Sequence, residues 1–294
     1  MIERREFLGA WTSAIENFVG SSCEITQVGL VAGGSINDAC KIVCSQGNYF
    51  AKINDANSLE GMFEAEAKGL DFLRENSSFE VPTVIDCGIS SGQQWILMEY
   101  IEGGVHCSGY WQTFGQRVAQ MHRNSNEKFG LGHNNYLGSL RQNNEEKDRW
   151  ADFFLEKRLL PQLKMARDQG RINEDISRSF DRLMPKIDDF FPKEAPSALH
   201  GDLWTGNFMT TKSGEATIFD PAVYYGHREM DLGMSKLFGG FDPDFYHAYH
   251  EEYPLESGWE DRIEVANLYP LLAHVNLFGA SYVAQVRSIL RKHT

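Results

Sequence analysis

The stretch HGDLWTGN, residues 200–207, sets an Asp and an Asn five positions apart beside a His, and IFDPAVYYG follows at 218–226. Three chemistries compete for such a loop: a packed turn tied by polar groups, a metal-hydrolase fragment, or the working end of a phosphotransferase. Ligand count argues against the metal hydrolase. His200 and Asp202 form a His-x-Asp pair, but no HExxH and no further cluster of histidines accompanies them. A serine hydrolase has little support either, because no GxSxG elbow is present. The Asp202-x4-Asn207 spacing matches a catalytic loop in which the Asp meets an acceptor hydroxyl and the Asn binds Mg²⁺. Asp220 follows 18 residues after Asp202, behind the strand-like ATIF, where a carboxylate bridging Mg²⁺ to nucleotide phosphates is expected. His200 either orients the loop or joins its chemistry.

A phosphotransferase needs further parts upstream. GGSIN (33–37) lies between two strand-like runs. Its Gly33, Gly34 and Ser35 offer backbone amides to phosphate oxygens, although the same residues also suit an ordinary hairpin turn. Lys52 lies in the strand-like FAKI (50–53), flanked by apolar residues, a position from which a lysine reaches phosphates in a nucleotide cleft. The helical run 59–76 carries Glu66 on the same side as Phe63, Leu70 and Leu73, so Glu66 is the expected anionic partner of Lys52. Glu64 lines up with Lys68 and Asp71 on a solvated face and is not expected to pair with it.

The chain as a whole supports a cleft. The first hundred residues order as three strands, one main helix and two strands, which predicts a small antiparallel sheet with a helix on it. EGGVHCSG (102–109) reads as a linker, and helical patterns dominate beyond it at about 108–124, 145–170, 173–190, 242–253 and 259–292. The expected fold is therefore α+β and bilobal, residues 1–101 forming a nucleotide-binding lobe and 102–294 a larger, mostly helical lobe with the catalytic loop and substrate site.

Composition narrows the partners. A formal charge of −13 over 294 residues disfavours nucleic acid and anionic membrane surfaces, both of which require a positive face. No 18-residue apolar run and no signal peptide are evident. The five cysteines lack CxxC or zinc-knuckle spacing and read as reduced thiols of a cytoplasmic protein.

Glycine turn, strand Lys, helix Glu, linker, Asp-x4-Asn and strand-Asp occur in the order of a kinase-like fold. On LHGDLWTGN (199–207), IFDPAVYYGHREMDLGMSKLFGGF (218–241) and LYPLLAHVNLFGASYV (268–283), the chain resembles the fructosamine kinase (ketosamine-3-kinase) family. That family lies within the aminoglycoside-phosphotransferase branch of protein-kinase-like folds. GGSIN, FAKIN and WILMEYIEGG support the resemblance upstream.

The resemblance implies ATP- and Mg²⁺-dependent phosphorylation of the C3 hydroxyl of a ketosamine, free or protein-borne, followed by elimination that deglycates the amine. On matching positions Asp202 is the implied proton acceptor, Asn207 and Asp220 hold Mg²⁺, and Lys52 with its partner Glu66 binds the phosphates. Met98, Glu99, Tyr100 and Ile101 are the implied adenine-binding hinge. Trp204 and Tyr224 are expected either to wall the sugar or amine substituent or to pack in the core. Ser35 stands where some relatives carry Cys, so the resemblance brings no redox switch at that loop, although Cys40 lies nearby. A kinase of an aminoglycoside or choline-like amine is the alternative enzyme. A pseudokinase is disfavoured because Lys52, Asp202, Asn207 and Asp220 are all present.

Overall fold

A computed structural model of the chain describes residues 4–31, 36–57 and 59–294. The expected positions Gly33, Gly34 and Ser35 lie outside these residues.

Five antiparallel strands form the N-terminal sheet: β1 (Ile25–Val31), β2 (Asp38–Cys44), β3 (Gly47–Asp55), β4 (Val84–Ser90) and β5 (Gln93–Glu99), in the order β1-β2-β3-β5-β4. Alternation of side chains sorts the strands onto two faces. Ala51 and Ile53 of β3 and Trp95 and Leu97 of β5 join Phe7, Trp11 and Ile15 beneath helix α1 (Leu8–Val19). Ile96 and Met98 point the opposite way and join Phe63, Leu70 and Leu73 of helix α2 (Met62–Asn76). Lys52, between Ala51 and Ile53, therefore faces α2 rather than α1. The period-2 pattern alone puts it within reach of the helix carrying Glu66. Leu70 and Leu73 have no exposed surface, and truncating either to Ala costs about 2–5 kcal/mol. The N-terminal amphipathic stretch forms α1, a second helix in this lobe beside the expected α2.

After Glu99 the chain passes through an exposed segment into α3 (Tyr110–His122). A short hairpin follows, β6 (Asn135–Leu137) and β7 (Leu140–Gln142), which the helical patterning did not foreshadow. The expected helix over 145–170 divides into α4 (Trp150–Phe153), a π-helical turn (Phe154–Leu159) and α5 (Leu160–Asp168). Two further helices are α6 (Glu174–Leu183) and α7 (Ile187–Phe190).

The opening motif lies between four short strands: β8 (Ser197–Leu199), β9 (Phe208–Thr210), β10 (Ala216–Ile218) and β11 (Tyr224–Gly226), paired β8 with β11 and β9 with β10. Next come α8 (Glu229–Lys236) and α9 (Pro243–Glu252), the latter packed along α3. The single long helix expected over 259–292 is three: α10 (Trp259–Ala266), α11 (Leu268–Phe278) and α12 (Val283–His293). The chain breaks at Gly279, whose φ of 99° no helix accommodates. The helices enclose an aromatic and aliphatic core of their own. Among the described residues, no helix is long and apolar enough to cross a membrane.

Candidate active site

Glu66 emerges from the buried face of α2 at 9% exposure, and Lys52 Nζ donates to its Oε1 at 2.6 Å. The same Nζ also contacts the carboxylate of Asp220, which belongs to the other lobe. Burial opposes the charge on Lys52. The two carboxylates outweigh it and hold the ammonium above the ordinary lysine range. Asp220 lies two residues beyond the end of β10 and has a φ of 56°, a left-handed conformation uncommon outside glycine, Asn and Asp. That turn aims its carboxylate into the cleft, where 42% of the side chain remains exposed.

The loop after β8 is held rigidly. Backbone N–H groups of His200 and Gly201 donate to Asp231 of α8 at 2.7 and 2.9 Å. Gly201 has a φ of +81°, and a Cβ there would stand 2.1 Å from the Ala222 carbonyl oxygen. Only glycine lets the loop pass this close to the chain beyond Asp220. His200, fully buried, reaches the Phe219 carbonyl through Nε2 at 3.0 Å, while Ala222 N–H donates back to the His200 carbonyl at 2.9 Å. Burial lowers the His200 pKa. The geometry therefore gives His200 an orienting position, tying the Asp202 loop to the Asp220 segment.

Asn207 closes the loop by donating from Nδ2 to the Asp202 carbonyl at 2.9 Å and to Asp202 Oδ2 at 2.8 Å. Desolvation at the cleft floor pushes the Asp202 carboxyl up to about 7, against the opposing pull of the Asn207 donor. Asp202, Asn207, Asp220, Lys52 and Glu66 all line one cavity of about 860 Å³. The donor set fits Mg²⁺. One open carboxylate (Asp220) and one amide oxygen (Asn207) suit an ion that keeps waters and phosphate oxygens as its remaining ligands. Among the described residues no cluster of three His, Cys, Asp or Glu offers a dedicated metal cage.

Trp204 lines the same cavity. Tyr224 does not: at 1% exposure it stacks on Phe153 at 5.6 Å and lies under the Arg158 guanidinium at 4.0 Å. The expected aromatic wall is thus corrected to Trp204 and a set of rings from later in the chain. Phe238, His274, Phe278 and Tyr282 continue the wall from Trp204 outward, with ring centroids 4.8–6.4 Å apart. Phe238 holds a φ of 59°, a conformation that costs a bulky side chain about 1–3 kcal/mol and places its ring at the cavity mouth. His274 donates from Nδ1 to the Pro270 carbonyl at 2.7 Å, and burial lowers its pKa against the pull of that bond. The i, i+4 spacing of His274 and Phe278 was the available sequence signal, although the same spacing equally marks a core helix.

Of the hinge residues, Met98 is buried against α2, while Glu99, Tyr100 and Ile101 line a separate hollow of about 410 Å³. Glu99 N–H donates to the Thr83 carbonyl and Tyr100 N–H to the Asn48 carbonyl.

A β-sheet lobe against a helical lobe, with an ion-paired lysine and a carboxylate–amide loop between them, defines a protein-kinase-like phosphotransferase fold. Aminoglycoside phosphotransferase APH(4)-Ia, solved with AMP-PNP and hygromycin B, superposes with a TM-score of 0.62 at 15% identity, covering 95% of this chain and 97% of that one. The chain belongs to the fructosamine kinase family, whose model matches residues 9–294. It is 40% identical over 266 residues to a probable ketoamine kinase of Enterococcus faecium, covering 88% of this chain and 92% of the relative. It is 37% identical to the chloroplastic protein-ribulosamine 3-kinase of Arabidopsis thaliana, covering 92% of this chain and 83% of the relative. A crystal structure named as a candidate fructosamine-3-kinase, from Haemophilus somnus 129PT, superposes with a TM-score of 0.86 at 29% identity, covering 96% of each chain.

Proposed function

We propose that this protein is a ketosamine 3-kinase: it transfers the γ-phosphoryl group of ATP to the C3 hydroxyl of a ketosamine, and the unstable ester then eliminates to free the amine. The observation that carries this reading is the convergence of Lys52, Asp202, Asn207 and Asp220 on one cavity in a chain of this family. Residues 1–101 serve as the nucleotide lobe and 102–294 as the catalytic and acceptor lobe. Gly33, Gly34 and Ser35 are assigned to the phosphates by sequence alone.

Lys52, kept charged and aimed by Glu66, meets the nucleotide phosphates. Asn207 and Asp220 hold Mg²⁺, which when bound neutralises phosphate charge. With Glu99 and Tyr100 N–H groups already donating to Thr83 and Asn48, Ile101 N–H is the hinge donor we assign to adenine. Asp202 orients the acceptor hydroxyl and takes its proton late, because a loose transition state asks little of the base. Trp204 and the rings that follow it receive the amine-side substituent. No disulfide joins any of the five cysteines, which fits a reducing compartment, and we place the protein in the cytoplasm.

A panel of acceptors with radiolabelled ATP tests the assignment. Label on fructosamines or ribulosamines, and not on an aminoglycoside or choline, supports it, whereas the reverse pattern overturns it. Saturating Mg-ATP at 100 times its dissociation constant stabilises the protein by about 2.7 kcal/mol. No thermal shift at millimolar Mg-ATP would favour a non-enzymatic binding module.

A further inference from the structure

Residues 135–138 of the β6–β7 hairpin line the cavity, and the phosphoryl-transfer roles assigned above do not use them. Its base is set by buried amides. Asn135, 4% exposed and facing the cavity, donates from Nδ2 to the Val223 carbonyl at 2.8 Å. Its Oδ1 accepts from Gln142 Nε2 at 2.8 Å and from Asn144 Nδ2 at 2.9 Å. Gln142 Nε2 also reaches the Ala222 carbonyl at 3.1 Å, so the hairpin is fastened to the two residues that follow Asp220-Pro221. Tyr269 donates its hydroxyl to Gln142 Oε1 at 2.6 Å from α11.

Behind these amides lies Arg158, on the π-helical turn, with no exposed surface. Its Nη2 donates to Asn144 Oδ1 at 2.6 Å and its Nη1 to the Asn143 carbonyl at 2.8 Å. Among the described residues no carboxylate forms an ion pair with it, and its guanidinium rests instead over the Tyr224 ring at 4.0 Å and the Phe153 ring at 4.6 Å. A buried guanidinium without a counter-charge is a poor stabiliser, since apolar residues of similar volume commonly do as well or better. What Arg158 supplies is direction, because its planar fork fixes Asn144, and Asn144 fixes Asn135.

The tip is equally constrained. Tyr136 donates its hydroxyl to the Glu60 carbonyl at 2.7 Å, crossing to the segment that leads into α2. Gly138 has a φ of +58°, and a Cβ there would meet Ile36 Cδ1 at 2.9 Å and Leu277 Cδ1 at 3.0 Å. The hairpin therefore closes the cavity between the two lobes, with residues 135–138 facing the space beyond Asp202.

We propose that this hairpin is the wall that selects the acceptor by contacting its polyhydroxylated sugar portion, and that Arg158 is its positioning residue, acting through Asn144 and Asn135. The inference rests on the ketosamine kinase reading and deepens it. The test measures steady-state kinetics of Arg158→Lys, Tyr136→Phe and Gly138→Ala with a fructosamine and a ribulosamine, alongside thermal melts.

Arg158→Lys keeps the charge but loses the fork. It raises the acceptor KM about tenfold while the Mg-ATP KM stays within about twofold, as expected when only acceptor placement is disturbed. Tyr136→Phe and Gly138→Ala change the fructosamine-to-ribulosamine ratio of kcat/KM by about threefold or more. If Arg158→Lys does not fold, the two tip variants decide alone. An unchanged acceptor ratio, or a Mg-ATP KM that rises in step with the acceptor KM, overturns the assignment while leaving an active ketosamine kinase. A wild-type protein that phosphorylates no ketosamine overturns the functional reading, and this inference with it.

Discussion

Glu66 Oε1 lies 2.6 Å from Lys52 Nζ, and both side chains are about nine-tenths buried. The contact joins Lys52 of β3 to the inward stripe of α2, and it leaves the ammonium directed at Asp220 across the cleft. Removing one partner of a buried ion pair costs about 3–5 kcal/mol when the other charge is left alone. Here Asp220 still neutralises Lys52, so Glu66→Gln is expected to fold. It raises the Mg-ATP KM by roughly tenfold, because the lysine loses its second tether. Isothermal titration with a non-hydrolysable ATP analogue checks the same loss without turnover.

Asp202→Asn keeps the Asn207 contact but cannot accept a proton. Turnover should fall by roughly 10² or more while Mg-ATP affinity stays nearly intact. Near-normal turnover in this variant would remove Asp202 from the mechanism.

The raised Asp202 pKa carries a sign. Its folded value of about 7 lies above the unfolded value near 3.9, so folding favours the protonated carboxyl and takes up a proton between those limits. This contribution to stability is present below about pH 4 and is lost as pH rises through about 7. Titration of the metal-free, nucleotide-free protein by carboxyl-carbon NMR should show a group near pH 7 that disappears in Asp202→Asn. A resonance that titrates near 4 would contradict the burial argument.

Asp231, 1% exposed, accepts the backbone N–H groups of His200 and Gly201 from the Asp202 loop and lies 3.2 Å from His122 Nε2, whose other nitrogen meets the Tyr249 hydroxyl at 2.8 Å. Asp231→Ala orphans both N–H groups, at about 1–3 kcal/mol each. Urea unfolding should show that loss, and the surviving folded enzyme should lose kcat more than KM, because the displaced element is the loop bearing Asp202.

His227 has no exposed surface, and burial keeps it neutral down to about pH 4, although Glu194 pulls the other way. Its unfolded value is near 6.5, so the unfolded chain binds a proton first as the solution is acidified. Stability therefore falls as pH drops from about 6.5 to about 4, by at most about 3 kcal/mol from this residue. His227→Gln should flatten that part of the stability–pH curve in chemical denaturation. An unchanged slope would assign acid sensitivity elsewhere.

Much of the site was legible in the chain itself, for reasons that differ by residue. Asp202 and Asn207 are five apart, so their loop is short enough for sequence spacing to dictate their meeting. Glu66 was separable from Glu64 because helical geometry turns neighbours two apart to different faces, and Glu66 is indeed the buried one. Lys52 was legible because apolar neighbours in a strand imply a buried register. In contrast, Tyr224 and Trp204 look alike as aromatics beside a catalytic loop, and only packing shows one against Phe153 and the other facing the cavity.

Local periodicity and short-range spacing determined the α+β order, the strand lysine, the helix glutamate and the Asp-x4-Asn loop, because those features act within a few residues along the chain. The tertiary structure alone decided what depends on distant segments meeting. It brought Asp220 to Lys52 across 168 positions, tied the Asp202 loop to Asp231, which His122 also meets, and linked the 135–142 hairpin to Arg158 through Asn144. Such contacts carry no periodic signature, since a buried Arg, Asn or His is specified by partners that only the folded chain assembles.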